Sequence, residues 1–193
     1  MQTWKYTFGF LVLLALVVWL AVFSLSDQNL HIIACDVGQG DAILATYGNI
    51  QVLTDGGPNN RVLECLSGHV PFWDREIELI VLTHPQKDHY GGLIDVFKHY
   101  KVDNFLANPL EAGTTDYQVL EREVGGQGTR VAIPTGGTVV RFGLMHLDIF
   151  WPTHQFFEEN GAGQAVGKLG TFTSKRDPND FSVQAILSLG EFD

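Results

Sequence analysis

Residues 83–92 read Thr83-His84-Pro85-Gln86-Lys87-Asp88-His89-Tyr90-Gly91-Gly92. The run before it, Leu79 to Thr83, is continuously apolar, the pattern of a strand buried on both faces. After it, Leu93, Val96 and Phe97 fall at helical spacing up to about Tyr100. His84 therefore sits at the mouth of a buried strand, and Asp88 and His89 sit at the start of a helix. The turn between them can fold the three side chains toward one point. Imidazole together with carboxylate suits zinc, manganese or iron. A divalent ion there would lower the pKa of a bound water and polarise a phosphoryl or carbonyl oxygen, which points to hydrolysis. The plainer alternative is that Asp88 caps the helix near Tyr90 and the histidines are ordinary loop residues.

Working outward, short apolar runs alternate with glycine and aspartate turns. Leu30 to Asp36, Ala42 to Tyr47 and Ile50 to Thr54 read as strands, with Gly48-Asn49 as a hairpin turn between the last two. Asp36-Val37-Gly38-Gln39-Gly40-Asp41 is a tight turn, and Asp55-Gly56-Gly57-Pro58 breaks the third strand. Asn59 to Ser67 fits a short helix with Val62, Leu63 and Leu66 on one side. Val102 to Ala107 is a strand. Thr115 to Val124 is a helix ended by Gly125-Gly126-Gln127-Gly128, which lacks the lysine of a phosphate-binding loop. Strands follow near Arg130 to Ile133, Thr138 to Arg141 and Met145 to Trp151. Gln155 to Arg176 is polar and glycine-rich and reads as a mobile loop. Phe181 to Leu189 is a last strand. The pattern suits an α/β layered sandwich.

With 193 residues the chain is long enough for one good-sized domain, and its 45% apolar content supports a core. The net charge of −10 argues against a general nucleic-acid-coating role. It leaves a nuclease possible, because a bound divalent cation reverses the local field. Cys35 and Cys65 read as two small buried hydrophobes, or as one disulfide if the domain is exported. His69, His99, His146 and His154 lie in no ligand spacing.

Residues 1–26 form a separate segment. Thr7 to Phe23 is uncharged and apolar, about as long as the shortest membrane-spanning helix. Trp4 and Tyr6 flank it at the interface. Lys5 before it and Asp27 after it place the N-terminus inside and the rest outside the cytoplasm. A cleaved signal peptide is the alternative, with small residues at Ser24-Leu25-Ser26. Either reading exports the domain.

The motif order Asp36-Val37-Gly38-Gln39-Gly40-Asp41-Ala42, Asp55-Gly56-Gly57 and Leu82-Thr83-His84-Pro85-x-x-Asp88-His89-x-Gly91-Gly92 resembles the metallo-β-lactamase superfamily. It is most similar to the branch fused to ComEC-type DNA-uptake proteins, and Asn179-Asp180-Phe181-Ser182-Val183 is similar to that branch too. The resemblance spans about Leu30 to the C-terminus. It implies an αββα sandwich over residues 30–193, preceded by one transmembrane helix. It implies His84, Asp88 and His89 as ligands of zinc or manganese, and Asp88 as the catalytic residue. Asp55 would buttress the loop, and Asp36, Asp41, Gln86 and Asn179 would support it. A competence-like role implies DNA or another phosphodiester as substrate, the membrane as partner and a separate channel protein. Two departures stand out. Gln86 holds the place of the second histidine in the family's His-x-His-x-Asp-His loop, so one ion is expected rather than two. The family's later Thr-Gly-Asp segment and histidine are not in this sequence, so the chain reads as C-terminally truncated, with an incomplete second half. A catalytically inactive or binding-only domain is the alternative function.

Overall fold

The computed structural model describes residues 2–24, 27–162 and 169–190. In chain order the helices are α1 (Gln2–Ser24), α2 (Arg61–His69), α3 (Lys87–Tyr90), α4 (Leu93–His99), α5 (Thr115–Gln127) and α6 (His154–Glu159). The strands are β1 (Leu30–Ala34), β2 (Ile43–Tyr47), β3 (Ile50–Thr54), β4 (Glu76–Leu82), β5 (Lys101–Ala107), β6 (Arg130–Ala132), β7 (Val139–Phe142), β8 (Met145–Trp151) and β9 (Gln184–Leu189).

Two sheets result. The first has the order β1-β2-β3-β4-β5-β6 and the second β7-β8-β9. β1, β2 and β3 form an antiparallel meander, and from β3 to β6 neighbouring strands run parallel. Parallel neighbours need crossovers, and α2, α4 and α5 supply them. Their apolar residues Val62, Leu66, Val96, Phe97, Leu120 and Val124 pack with Leu44, Leu53, Ile80 and Phe105 on one face of the first sheet. The other face meets the second sheet, with Ala45, Val52, Leu79 and Val81 against Met145, Leu147, Ile149 and Val183. β4 carries Ile80 and Leu82 into one cluster and Leu79 and Val81 into the other, which explains its unbroken apolar run. The described layers are helix, sheet, sheet, which fits a mixed α/β sandwich.

Several local expectations change. β4 starts at Glu76, earlier than its apolar run. α5 continues through Gly125, Gly126 and Gln127 and ends on Gly128, in the left-handed conformation. The Gln127 side chain holds that end in place: Oε1 accepts from Val102 N at 3.1 Å, and Nε2 donates to the carbonyls of Tyr100 and Phe97. Within the expected loop from Gln155, α6 forms instead. Thr153 caps it by accepting from Phe156 N at 3.1 Å, and Phe157 packs with Leu110 and Phe181. The short-buried-hydrophobe reading of the cysteines is overturned: Cys35 and Cys65 form a disulfide, tying the end of the β1 region to α2.

The N-terminal expectation is supported only as a helix. The described side chains of α1, residues 4–20, are all exposed. Among the described residues no helix is long and apolar enough to cross a membrane. The side chains of residues 21–24, which complete the apolar run, and the Leu25-Ser26 part of the cleavage signal lie outside the described residues.

Candidate functional site

The site is built at the C-terminal ends of β3 and β4. Asp55 follows β3 directly and takes φ +58, a left-handed conformation that aspartate tolerates better than most residues. Its N–H still donates to Val81 O at 2.8 Å, so the turn begins on the sheet. The carboxylate, buried in the interior, accepts three hydrogen bonds. Thr83 N donates to Oδ1 at 2.8 Å, Thr83 Oγ1 to Oδ2 at 2.7 Å, and His89 Nδ1 to Oδ2 at 2.8 Å. Asp55 thus bonds both Thr83 and His89, at the two ends of the loop.

The loop is clamped by close backbone approaches. A Cβ on Gly92 would lie 2.1 Å from Gly56 O, and one on Gly40 would lie 2.0 Å from Asp88 O. These glycines let the turn after β3 and the turn after Ala34 sit directly against the histidine loop. Asp88 lies inside the single turn of α3, where Gln86 holds the N-cap position, so Asp88 is not a helix cap.

His84 and His89 lie with ring centroids 4.1 Å apart. Their environments pull in opposite directions. Burial pushes the His84 imidazole below the ordinary histidine range. Burial pulls His89 down too, but the hydrogen bond and charge of Asp55, with Asp88 and Asp41, outweigh it and hold it above that range. Asp55 on Nδ1 orients the His89 ring as carboxylates do behind metal-binding histidines. Among the described residues Nε2 of His89 has no hydrogen-bond partner.

His84 is different, because both its nitrogens are engaged. Nδ1 lies 3.0 Å from Thr83 Oγ1 and 3.1 Å from Ser182 Oγ. Nε2 lies 3.0 Å from Gln86 Oε1. The family-implied ion can be tested on this donor set. Among the described residues no group of three or more His, Cys, Asp or Glu side chains is disposed to hold one. Asp88 and the free Nε2 of His89 offer two donors. That is one short of the three protein ligands a catalytic zinc keeps. The third candidate, His84, is bonded to Gln86. As placed, the described residues offer an ion at most these two donors, with the third candidate held by Gln86, and they do not fit two ions.

The other expected residues divide. Asp36 is exposed and accepts from Arg61 Nη2 at 2.8 Å. Asn179 is exposed in a 3-10 turn (Pro178–Phe181), where it bonds Asp177 rather than the loop. The neighbour of His84 from that segment is Ser182. Asn108 was missed as well. Its buried amide donates to Thr83 O at 3.0 Å and Phe181 O at 3.2 Å, pinning the Ser182 segment to the end of β4. Only its place at the end of a buried strand hinted at this. A cavity of about 530 Å³ opens beside Asp88, lined also by Gln39, Asn59, Arg61 and Lys87. A larger one, about 800 Å³, lies between α1 and the domain and touches none of the candidate residues.

No family model and no curated protein matches the chain. Solved structures do. A metallo-β-lactamase of Cronobacter sakazakii (Enterobacter sakazakii) with a HARLDQ motif, in a mutant form, is 13% identical with a TM-score of 0.51, covering 83% of this chain and 56% of that one. A second variant of that protein gives 12% and 0.50, over 83% and 57%. The fold is the metallo-β-lactamase sandwich. The metallo-β-lactamase fold protein YhfI from Bacillus subtilis is 18% identical with a TM-score of 0.45, over 63% of this chain and 51% of that one. The chain thus spans little more than half the length of these structures.

Proposed function

We propose that this is a metal-dependent hydrolase domain acting on phosphodiester bonds, with the loop from His84 to His89 as its centre. The observation that carries the reading is the Asp55–His89 pair beside Asp88: a buried carboxylate orients an imidazole whose other nitrogen is free. Asp88 and His89 would hold one divalent ion, zinc or manganese, and His84 could join them as third donor only where Gln86 releases it. Such an ion supplies a water activated near neutral pH. The cavity beside Asp88 supports an anionic substrate, because Arg61 and Lys87 both line it in a chain of net charge −10. Their present partners, Asp36 and Asp116, form exposed ion pairs worth little in water. A phosphodiester anion competes with them readily. DNA is the substrate that the DNA-uptake resemblance favours, with a channel protein as partner.

The metallo-β-lactamase from Cronobacter sakazakii is named for the motif histidine-alanine-arginine-leucine-aspartate-glutamine. Set against His84 to His89, that motif keeps the first histidine and the aspartate and likewise lacks histidine at the third place. A departure at Gln86 therefore has a parallel in a protein of the same fold.

Export belongs to the same proposal. The Cys35–Cys65 disulfide favours an oxidising compartment. The uncharged apolar run from Thr7 to Phe23 belongs to this reading as a membrane anchor or a cleaved signal, with the domain outside the cytoplasm in either case.

The test is hydrolysis of bis(p-nitrophenyl) phosphate by the full chain with manganese or zinc. Activity is expected, falling about 100-fold or more in Asp88→Ala and His89→Ala. Metal uptake, read by elemental analysis, is expected to vanish when His84 and His89 are both alanine. A second reading, a binding-only domain, draws on the engagement of His84 by Gln86. Tight binding of single-stranded DNA without turnover under any metal would select it.

A further inference from the structure

The Gln86 side chain is placed where it controls His84. The Thr83 hydroxyl donates its proton to Asp55 Oδ2, so toward His84 it offers a lone pair. The Ser182 hydroxyl, 3.1 Å from Nδ1, is free to donate. With Gln86 Oε1 facing Nε2, the consistent arrangement puts the ring proton on Nε2. Nε2–H donates to Gln86, and Nδ1 accepts from Ser182. A histidine that ligates through Nε2 needs the opposite tautomer, with Nδ1–H donating to a neighbour. Thr83 Oγ1 stands ready to accept that proton. Turning the Gln86 amide over does not free the ring, because its NH2 would then donate into the Nε2 lone pair. Either way the nitrogen that would face an ion is occupied by an amide from two residues along the chain. The ring itself is buried, so water does not compete for it.

We infer that Gln86 is a lock on His84: it holds the imidazole in a self-contained hydrogen-bond network and keeps the third donor out of the metal site. This rests on the one-ion site proposed above but not on catalysis. It makes a prediction of opposite sign to the simpler view of Gln86 as a weak amide ligand. If Gln86 were a ligand, removing it would weaken metal binding. As a lock, its removal strengthens binding.

The experiment is a calorimetric titration of metal-free full-length protein with zinc chloride, for the wild type and Gln86→Ala. The expected result is one equivalent bound in both, at least about fivefold tighter in the variant, the worth of one neutral hydrogen bond released. Equal or weaker binding by Gln86→Ala overturns the lock. A second measurement needs no variant. In long-range proton–nitrogen spectra of the wild-type rings, the first zinc equivalent should shift His89 Nε2 and leave His84 in its Nε2–H form. Direct coordination of His84 Nε2 in the wild type would equally overturn it. Absence of phosphodiesterase activity with the zinc results as expected would refute the hydrolase reading alone.

Discussion

Asp55 and His89 stand 34 residues apart in the chain and are joined by a 2.8 Å hydrogen bond from Nδ1 to Oδ2. The same carboxylate holds the backbone and hydroxyl of Thr83. One buried group thus fixes both ends of the histidine loop.

Replacing Asp55 by alanine leaves His89, Thr83 N and the Thr83 hydroxyl without their acceptor in a buried place. The expected loss is about 3 kcal/mol or more, because breaking a buried charged pair strands the remaining partner. Urea unfolding midpoints read it directly. A change under about 0.5 kcal/mol, the range of surface substitutions, would show that the carboxylate is not the organising group.

The two histidines give opposed pH dependences in metal-free protein. His89 is raised, so its contribution is complete below the unfolded histidine value of about 6.5 and is lost as pH rises through its higher folded value. His84 is lowered, so its neutral form supports the fold above about 6.5, and that support is lost as pH falls toward its lower folded value. Ring titrations by NMR should show His89 titrating above His84. In His89→Gln the stability difference from wild type should shrink as pH rises above about 6.5 and through the raised folded value of His89. A difference independent of pH would contradict the assignment.

The disulfide closes a loop of 30 residues, which in the chain-entropy view is worth about 3 to 4 kcal/mol. Thiol counting under denaturing, non-reducing conditions should find no free cysteine. Reduction, or a Cys35→Ala/Cys65→Ala pair, should lower the unfolding temperature by several degrees.

Glycines in different settings should respond with opposite sign. Gly92→Ala sets a Cβ against two carbonyl oxygens and should destabilise by about 2 kcal/mol or more. Gly125→Ala lies in α5 with open space around it and should stabilise by about 0.5 to 1 kcal/mol. Thermal unfolding of the two variants side by side decides this, and the same sign in both would be contrary to it.

Much of this protein is set by short-range pattern. The meander from Leu30 to Thr54, the doubly buried β4 and the glycine turns are legible because strand periodicity and turn chemistry act over a few residues. The histidine loop is legible from residue type and order, whereas a supporting role for Asp55 is implied only by the family resemblance. Other features depended on segments distant in sequence. Asn179 and Ser182 are equally polar and three positions apart, and only the packing of Phe181 and the grip of Asn108 bring Ser182, not Asn179, to His84. α5 runs through two glycines because Gln127 finds acceptors on the segment from Phe97 to Tyr100. The state of His84 is the sharpest case. The sequence by itself determined that a histidine stands beside Gln86 at a strand end. Only the tertiary structure decided that both of its ring nitrogens are engaged, because a hydrogen bond depends on ångström distances and directions that no residue pattern encodes.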